Sequence, residues 1–213
     1  MQLDTIPCGP LDVNCYILRG EKGEAAVIDP AEFEPVRRHL ADNALTCTHI
    51  LLTHGHFDHI GGIPELKAYS GAKVLIHRDD APMLLSDEES LACLQNIHIP
   101  PIQADVLLRD NDELDIAGIH IKVIHTPGHT PGGVCYFVER ERVLFTGDTI
   151  FRLGAGRADF PGSDERALYR SIRDRLFALP GDYTLYPGHM RPTAMQVERE
   201  HNTFMRHYRG NGW

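Results

Sequence analysis

No apolar run in this sequence approaches the roughly 18 residues of a membrane-spanning helix, so the chain is not read as a helical membrane protein. The opening segment MQLDTIPCGP has neither the basic nor the apolar region of a secretory signal, and with no address to read, the cytoplasm is the expected compartment. There is no CxxC pair. The five cysteines (Cys8, Cys15, Cys47, Cys93 and Cys135) are odd in number and irregularly spaced, which argues against a disulfide framework and against a cysteine zinc site. Reduced, mostly buried thiols are expected instead. Lysine is scarce: only Lys22, Lys67, Lys73 and Lys122 stand among the 21 basic residues, so an anion site would rest on arginine. Acidic residues outnumber basic ones by 30 to 21, a net charge of −9. Such a chain repels a phosphate backbone, so nucleic acid is not an expected partner. Low-complexity segments, linkers and repeat periods are also missing.

What is present suits an ordinary folded protein. At 42% hydrophobic and 24% charged over 213 residues, the chain can bury a large core, and one domain spanning 1–213 is expected. Apolar runs at 14–18 and 25–28 around a polar segment predict a hairpin. Phe33, Val36, His39 and Leu40 recur at helical spacing, predicting a helix over 32–42. A buried strand over 49–53 runs into a histidine cluster. Ile63, Leu66 and Tyr69 predict a short helix stopped near Gly71, followed by a strand at 73–76. Residues 79–94 read as a helix with Pro82 in its first turn. Strands are predicted at 106–108, 113–116, 119–125, 134–138 and 143–146. A helix over 164–179 presents Leu168, Ile172, Leu176 and Leu179 and stops at Pro180-Gly181. A strand at 183–186 follows. Val197, His201, Phe204 and Tyr208 line one side of a final helix. Each half runs from strands to helices, which predicts two packed sheets with helices outside.

The chemistry is concentrated in Thr53-His54-Gly55-His56-Phe57-Asp58-His59. Four side chains able to bind metal follow a buried strand, where a turn aims His54 and His56 at one point and Asp58 and His59 at another. Packing a core does not require four such groups together. Three more candidates stand after apolar runs beside glycine or proline: His129 in Thr126-Pro127-Gly128-His129-Thr130, Asp148 in Thr146-Gly147-Asp148, and His189 in Pro187-Gly188-His189. Loops shown by a rigid sheet are the usual seat of function. Five histidines and two carboxylates suit two metals that take nitrogen and oxygen ligands. Lone histidines such as His77, His98 and His207 read as structural, and His125 as strand core.

HGHFDH, PGHT, TGD and PGH, in this order, resemble the metallo-β-lactamase superfamily over nearly the whole chain. Asn14-Cys15-Tyr16 and Val27-Ile28-Asp29-Pro30 are similar to the glyoxalase II group (hydroxyacylglutathione hydrolases), in its short bacterial type II form. The resemblance implies an α+β fold, an αββα sandwich of two mixed β-sheets with metals at one edge. It implies one metal on His54, His56 and His129, a second on Asp58, His59 and His189, and Asp148 bridging them. Zinc, two per chain, is expected, with iron or manganese as alternatives. Asp29 resembles a buried carboxylate behind the ligands; its other reading is a turn residue before Pro30.

The activity so implied is hydrolysis of S-D-lactoylglutathione to D-lactate and glutathione by a hydroxide held between the metals, with Asp58 placed to orient it. The expected partner is therefore a small-molecule glutathione thioester, and the expected state a monomer. The longer relatives carry a C-terminal helical domain with basic residues for glutathione, whereas this sequence has about 24 residues after His189. Glutathione contacts are then expected elsewhere, with Arg152, Arg157 and Arg191 as candidates; Arg157 is read first as an ion pair with Asp159. The rival is an iron-dependent persulfide dioxygenase, whose relatives share a GRxDF stretch like residues 156–160 and hold one iron on the counterparts of His54, His129 and Asp148. A lactone hydrolase is a further alternative. A β-lactamase is disfavoured by Asp148 where those enzymes commonly have cysteine, and a nuclease by the acidic, compact chain.

Overall fold

Alternation of buried residues along the strands explains the layering. In β2 (Val13–Arg19), Cys15 and Ile17 join one core cluster while Tyr16 and Leu18 join another. In β9 (Val134–Val138), Val134, Tyr136 and Val138 face the second cluster and Cys135 and Phe137 a third. Each strand thus presents apolar side chains on both faces, as strands covered on both sides must. This computed structural model describes residues 1–210; residues 211–213 of the expected domain lie outside it.

The first sheet runs in sequence order: β1 (Gln2–Cys8), β2, β3 (Glu24–Ile28), β4 (Thr46–Leu51), β5 (Lys73–His77) and β6 (Val106–Leu108). β1 to β3 are antiparallel and β3 to β6 parallel. The crossovers carry α1 (Phe33–Asp42), α2 (Phe57–Ile60) and α3 (Ile63–Ser70). Val36 and Leu40 of α1 and Ile63 and Leu66 of α3 pack with Ile17, Val27, Ile50 and Val74 on the outer face.

The second sheet contains β7 (Glu113–Ile116), β8 (Ile119–His125), β9 and β10 (Val143–Gly147). Outside it, β11 (Ile150–Phe151) and β12 (Gly154–Ala155) form a small hairpin. β13 (Thr184–Pro187) and β14 (Thr193–Ala194) complete the second sheet, in the order β14-β13-β10-β9-β8-β7. Only the β10–β13 pair is parallel. The outer face is covered by α4 (Glu165–Arg170), α5 (Met195–His201) and α6 (Thr203–Gly210). Between the sheets lie Tyr16, Ile28, Leu51, Leu75, Ile121, Val123, Tyr136 and Phe145. The architecture is the expected αββα sandwich of two mixed sheets.

Three local expectations differ, and one strand is additional. Residues 79–94 form no long helix. Two 3-10 turns, Ala81–Leu85 and Ala92–Gln95, are separated by a loop in which the Ser86 hydroxyl accepts from Glu88 and Glu89 N–H and Leu91 adopts φ 65°. Short polar side chains that bond nearby backbone compete with helix there. β1 was not foreseen. The predicted 164–179 helix is α-helical only over Glu165–Arg170 and continues as a π-helical turn over Ser171–Leu176. The final helix is two, broken at Asn202, and its buried stripe is Met195, Glu198, Asn202, Met205 and Tyr208. The Asn202 and Thr193 side chains donate to the Glu198 carboxylate, which also accepts from Leu153 N–H, so a polar network turns a different face inward.

Candidate metal centre

The seven singled-out residues meet at one end of the sandwich. The 53–59 segment leaves the end of β4. His129 lies in the β8–β9 loop, Asp148 directly follows β10, and His189 follows β13. Parallel pairing of Gly147 with Pro187 brings the last two loops side by side. Val134 N–H donates to Thr53 O at 2.8 Å, tying the two sheets together at this end.

The ligand atoms fall into two trios, His54/His56/His129 and Asp58/His59/His189, joined through Asp148 and the trio His54/His59/Asp148. His56 Nδ1 faces His129 Nε2 at 2.9 Å. Asp58 Oδ2 stands 3.3 Å from His189 Nε2 and 3.7 Å from His59 Nε2. Asp148 Oδ1 is 3.5 Å from His59 Nε2, and its Oδ2 is 3.5 Å from His129 Nε2 and 3.6 Å from His189 Nε2. Two ligands each 2.0–2.1 Å from a tetrahedral ion lie about 3.3 Å apart, so these spacings suit a shared cation.

Four of the five ligand rings are turned by a partner on the far side, while His56 presents Nδ1 to His129. His59 Nδ1–H donates to Asp29 Oδ2 at 3.0 Å and His129 Nδ1–H to Arg157 O at 2.6 Å. His189 Nδ1–H donates to Leu11 O at 3.1 Å. Thr53 Oγ1 donates to Asp29 Oδ2 at 2.6 Å and so accepts from His54 Nδ1–H at 3.1 Å. These bonds turn Nε2 of His54, His59, His129 and His189 inward, the arrangement expected behind metal-binding histidines. Among the described residues, four buried side-chain polar atoms lack a hydrogen-bond partner; three are His54 Nε2, His59 Nε2 and Asp148 Oδ1. Buried polar atoms are costly when unpaired, and three converging here fit a cation in the gap.

The electrostatics agree. Burial, reinforced by the neighbouring histidines, pushes His54 well below the usual imidazole range. Burial, then His129, lowers His56 to about 3. His59 is buried too, which opposes its charge, yet Asp58, Asp148 and Asp29 raise it to about 10. Burial raises Asp58, but His59 and His189 outweigh it and hold its carboxyl below the usual range. One half therefore offers neutral nitrogen donors, and in the other the carboxylates favour a positive charge among them, a proton or a cation.

The close approach of loops needs a glycine at 188. A Cβ there would collide with Asp148 Oδ1 and the His59 ring. Asn14 and Tyr16 explain their place in the resemblance. Asn14 Nδ2 donates to Pro187 O (3.0 Å) and Met190 O (2.7 Å), and the Tyr16 hydroxyl to Pro187 O (2.6 Å), fixing the backbone around His189.

Asp29 is buried, and both its oxygens are engaged: Oδ1 accepts from Thr53 N–H at 2.8 Å. It is also a turn residue, with φ 50°, so the two readings coexist. Arg157 pairs bidentately with Asp159 at 2.8 and 2.9 Å and lies over the Phe160 ring at 4.2 Å. Phe160 in turn edges His56 and His129. Its guanidinium is exposed, and it is the Arg157 carbonyl that meets a ligand. Arg152 and Arg191 are exposed. A separate trio, His77, Asp79 and His125, has its imidazoles stacked 4.1 Å apart and 12° from parallel. His77 Nδ1 accepts from Asp79 N–H at 3.3 Å and His125 Nε2 meets Pro131 O at 2.9 Å, so both rings have partners within the protein. Sequence reasoning missed Asp80, a fully buried carboxylate between two ligand loops; a single aspartate after a strand carries no signal of that role.

Residues 8–189 match the profile of the Metallo-beta-lactamase superfamily. An uncharacterized Mycobacterium leprae protein is 36% identical over 215 residues, covering 96% of this chain and 99% of its own. The hydroxyacylglutathione hydrolase GloC of Haemophilus influenzae is 32% identical over 210 residues, covering 96% and 98%. Among solved structures, the BLEG-1 B3 metallo-beta-lactamase superposes with a TM-score of 0.91 at 34% identity, covering 96% and 99%. TTHA1623 in a di-iron-bound form gives 0.84 at 33%, covering 94% and 99%. With the profile matched over most of its length and two sheets meeting at a histidine and aspartate centre, this chain belongs to the metallo-beta-lactamase superfamily.

Proposed function

We propose that the chain is a binuclear metal-dependent hydrolase of the glyoxalase II group that cleaves S-D-lactoylglutathione to D-lactate and glutathione. The observation that carries this reading is the convergence of three unpartnered buried atoms, His54 Nε2, His59 Nε2 and Asp148 Oδ1. His54, His56 and His129 would hold one ion, Asp58, His59 and His189 the other, with Asp148 shared. Zinc is the proposed metal, and iron or manganese would satisfy the same donors. Two divalent ions supply, when bound, a lowered water pKa and polarisation of a carbonyl oxygen.

The protein's own groups do the rest. Asp58, 3.3 Å from His189 Nε2 and 3.7 Å from His59 Nε2, is given the role of orienting an attacking water and holding its proton. Asp29, Thr53 and the Arg157 carbonyl turn Nε2 of His59, His54 and His129 toward the gap between the ligands. A thioester suits this centre because its thiolate leaves with a pKa near 8.5, far below that of an amine, so little acid catalysis is required. The hydroxyacylglutathione hydrolase among its relatives supports the substrate class. The exposed Arg152, Arg157 and Arg191 are the proposed contacts for glutathione carboxylates. We further propose a cytoplasmic monomer acting on a small molecule; among the described residues no helix is long and apolar enough to cross a membrane.

A second reading, an iron-dependent persulfide dioxygenase, draws on the Gly-Arg-Ala-Asp-Phe stretch at 156–160, whose Arg157 carbonyl bonds His129. An activity panel on metal-analysed protein separates the readings: S-lactoylglutathione, other acyl-glutathiones, a lactone, a β-lactam and glutathione persulfide. Thioester hydrolysis is the expected result. Persulfide-dependent oxygen uptake without hydrolysis would overturn it.

A further inference from the structure

Asp80 follows β5 in a tight turn, its N–H donating to His77 O at 3.0 Å and its carbonyl accepting from Met83 N–H at 3.0 Å. The turn drives its carboxylate inward, where it is fully buried. Oδ1 accepts from Gly132 N–H at 2.5 Å. Oδ2 accepts from the Thr130 hydroxyl at 2.7 Å and from Gly55 N–H at 3.2 Å. Gly55 lies between His54 and His56, and Thr130 follows His129. One carboxylate therefore bonds both loops that supply the His54/His56/His129 trio.

Other bonds fix each loop separately. The His129 ring is held by Arg157 O, and Ser163 Oγ donates to His129 O at 2.7 Å. Neither bond reaches residues 54–56. The approach at Asp80 is tight: a Cβ at residue 132 would stand 2.6 Å from Asp80 N and 2.7 Å from Oδ1. Three donors meet one acceptor-only group, a demand that asparagine cannot meet. An amide –NH2 in the place of Oδ2 can be accepted by a rotated Thr130 hydroxyl, but it confronts the Gly55 N–H donor to donor.

We propose that Asp80 is a positioning residue that sets the spacing between the His54/His56 loop and His129, and through it the affinity of that trio for its ion. The proposal rests on the binuclear reading above. Asp29 differs in bonding the His59 ring directly and in reaching His54 through the Thr53 hydroxyl, whereas Asp80 holds the backbone of the two loops.

The test is transfer of zinc from loaded protein to a chromophoric chelator, for the wild type and for Asp80→Asn, Thr130→Val and His56→Ala. His56→Ala identifies the step belonging to the His54/His56/His129 trio. In Asp80→Asn that step is expected to weaken about 10- to 100-fold, the range found for partners behind metal ligands, while the other step stays within about twofold. Thr130→Val, which removes one of the three bonds, shows a smaller loss on the same step and carries the test if Asp80→Asn fails to fold. Two unchanged steps in both variants, or equal weakening of both steps, would overturn the role of Asp80. A wild type releasing fewer than two ions would instead overturn the binuclear reading, and this proposal with it.

Discussion

Asp29 Oδ2 stands 3.0 Å from His59 Nδ1, on the side of the imidazole turned away from Asp58 and Asp148. The same oxygen accepts the Thr53 hydroxyl, which meets His54 Nδ1. Replacing Asp29 by asparagine keeps the size and tolerates the φ of 50°, because asparagine enters the left-handed region more readily than most residues. It removes the charge behind both rings. Asp29→Asn should weaken metal binding about 10- to 100-fold, measured by competition with a chelator. Unchanged affinity would mean that Asp29 serves only the turn before Pro30.

Asp58 should matter more to turnover than to substrate binding. It belongs to the second trio and has the proposed role of orienting the attacking water, so its contribution is realised chiefly in the transition state. Asp58→Asn and Asp58→Ala should lower kcat at least about 100-fold, the order of losing one well-placed electrostatic group, with KM changed far less. Steady-state kinetics on metal-saturated variants check this. A near-normal kcat would remove Asp58 from the proposed role.

His77 offers a pH prediction away from the centre. Burial, with the stacked His125 next and Arg78 also contributing, lowers its pKa to about 4; Asp79 and Asp110 oppose this less strongly. The unfolded chain takes up a proton near pH 6.5 while the folded one resists until about 4, so stability rises with pH across that window. His77 therefore contributes its full stability above about 6.5, and this is lost as the pH falls toward 4. The stability gap between wild type and His77→Asn, both metal-saturated, should narrow from pH 6.5 to 4.5 in urea titrations. Parallel curves would contradict the assignment.

Much of the centre was legible because its ligands sit in dense local motifs. His54, His56, Asp58 and His59 need only one turn after one strand. The groups behind them are dispersed: Asp80 and the Arg157 carbonyl reach their partners through tertiary contacts that no local spacing records. β1 shows no apolar alternation, because Leu3 and Ile6 lie on opposite faces and Pro7 interrupts it. Its pairing with β2 supplies what propensity does not. The 79–94 segment has helix formers, but Ser86, Asp87 and the left-handed Leu91 divide it. The last helices misled for another reason: their inward face carries Glu198 and Asn202, which apolar periodicity counts as solvent-facing.

The central claim is that this chain holds two metal ions in one hydrolytic centre, and elemental analysis tests it most directly. Protein purified without added metal or chelator should carry close to two divalent ions per chain, zinc foremost, since seven ligands exceed the four of one tetrahedral ion. A reproducible single equivalent of iron, with no second site filled when zinc is added, would contradict the account.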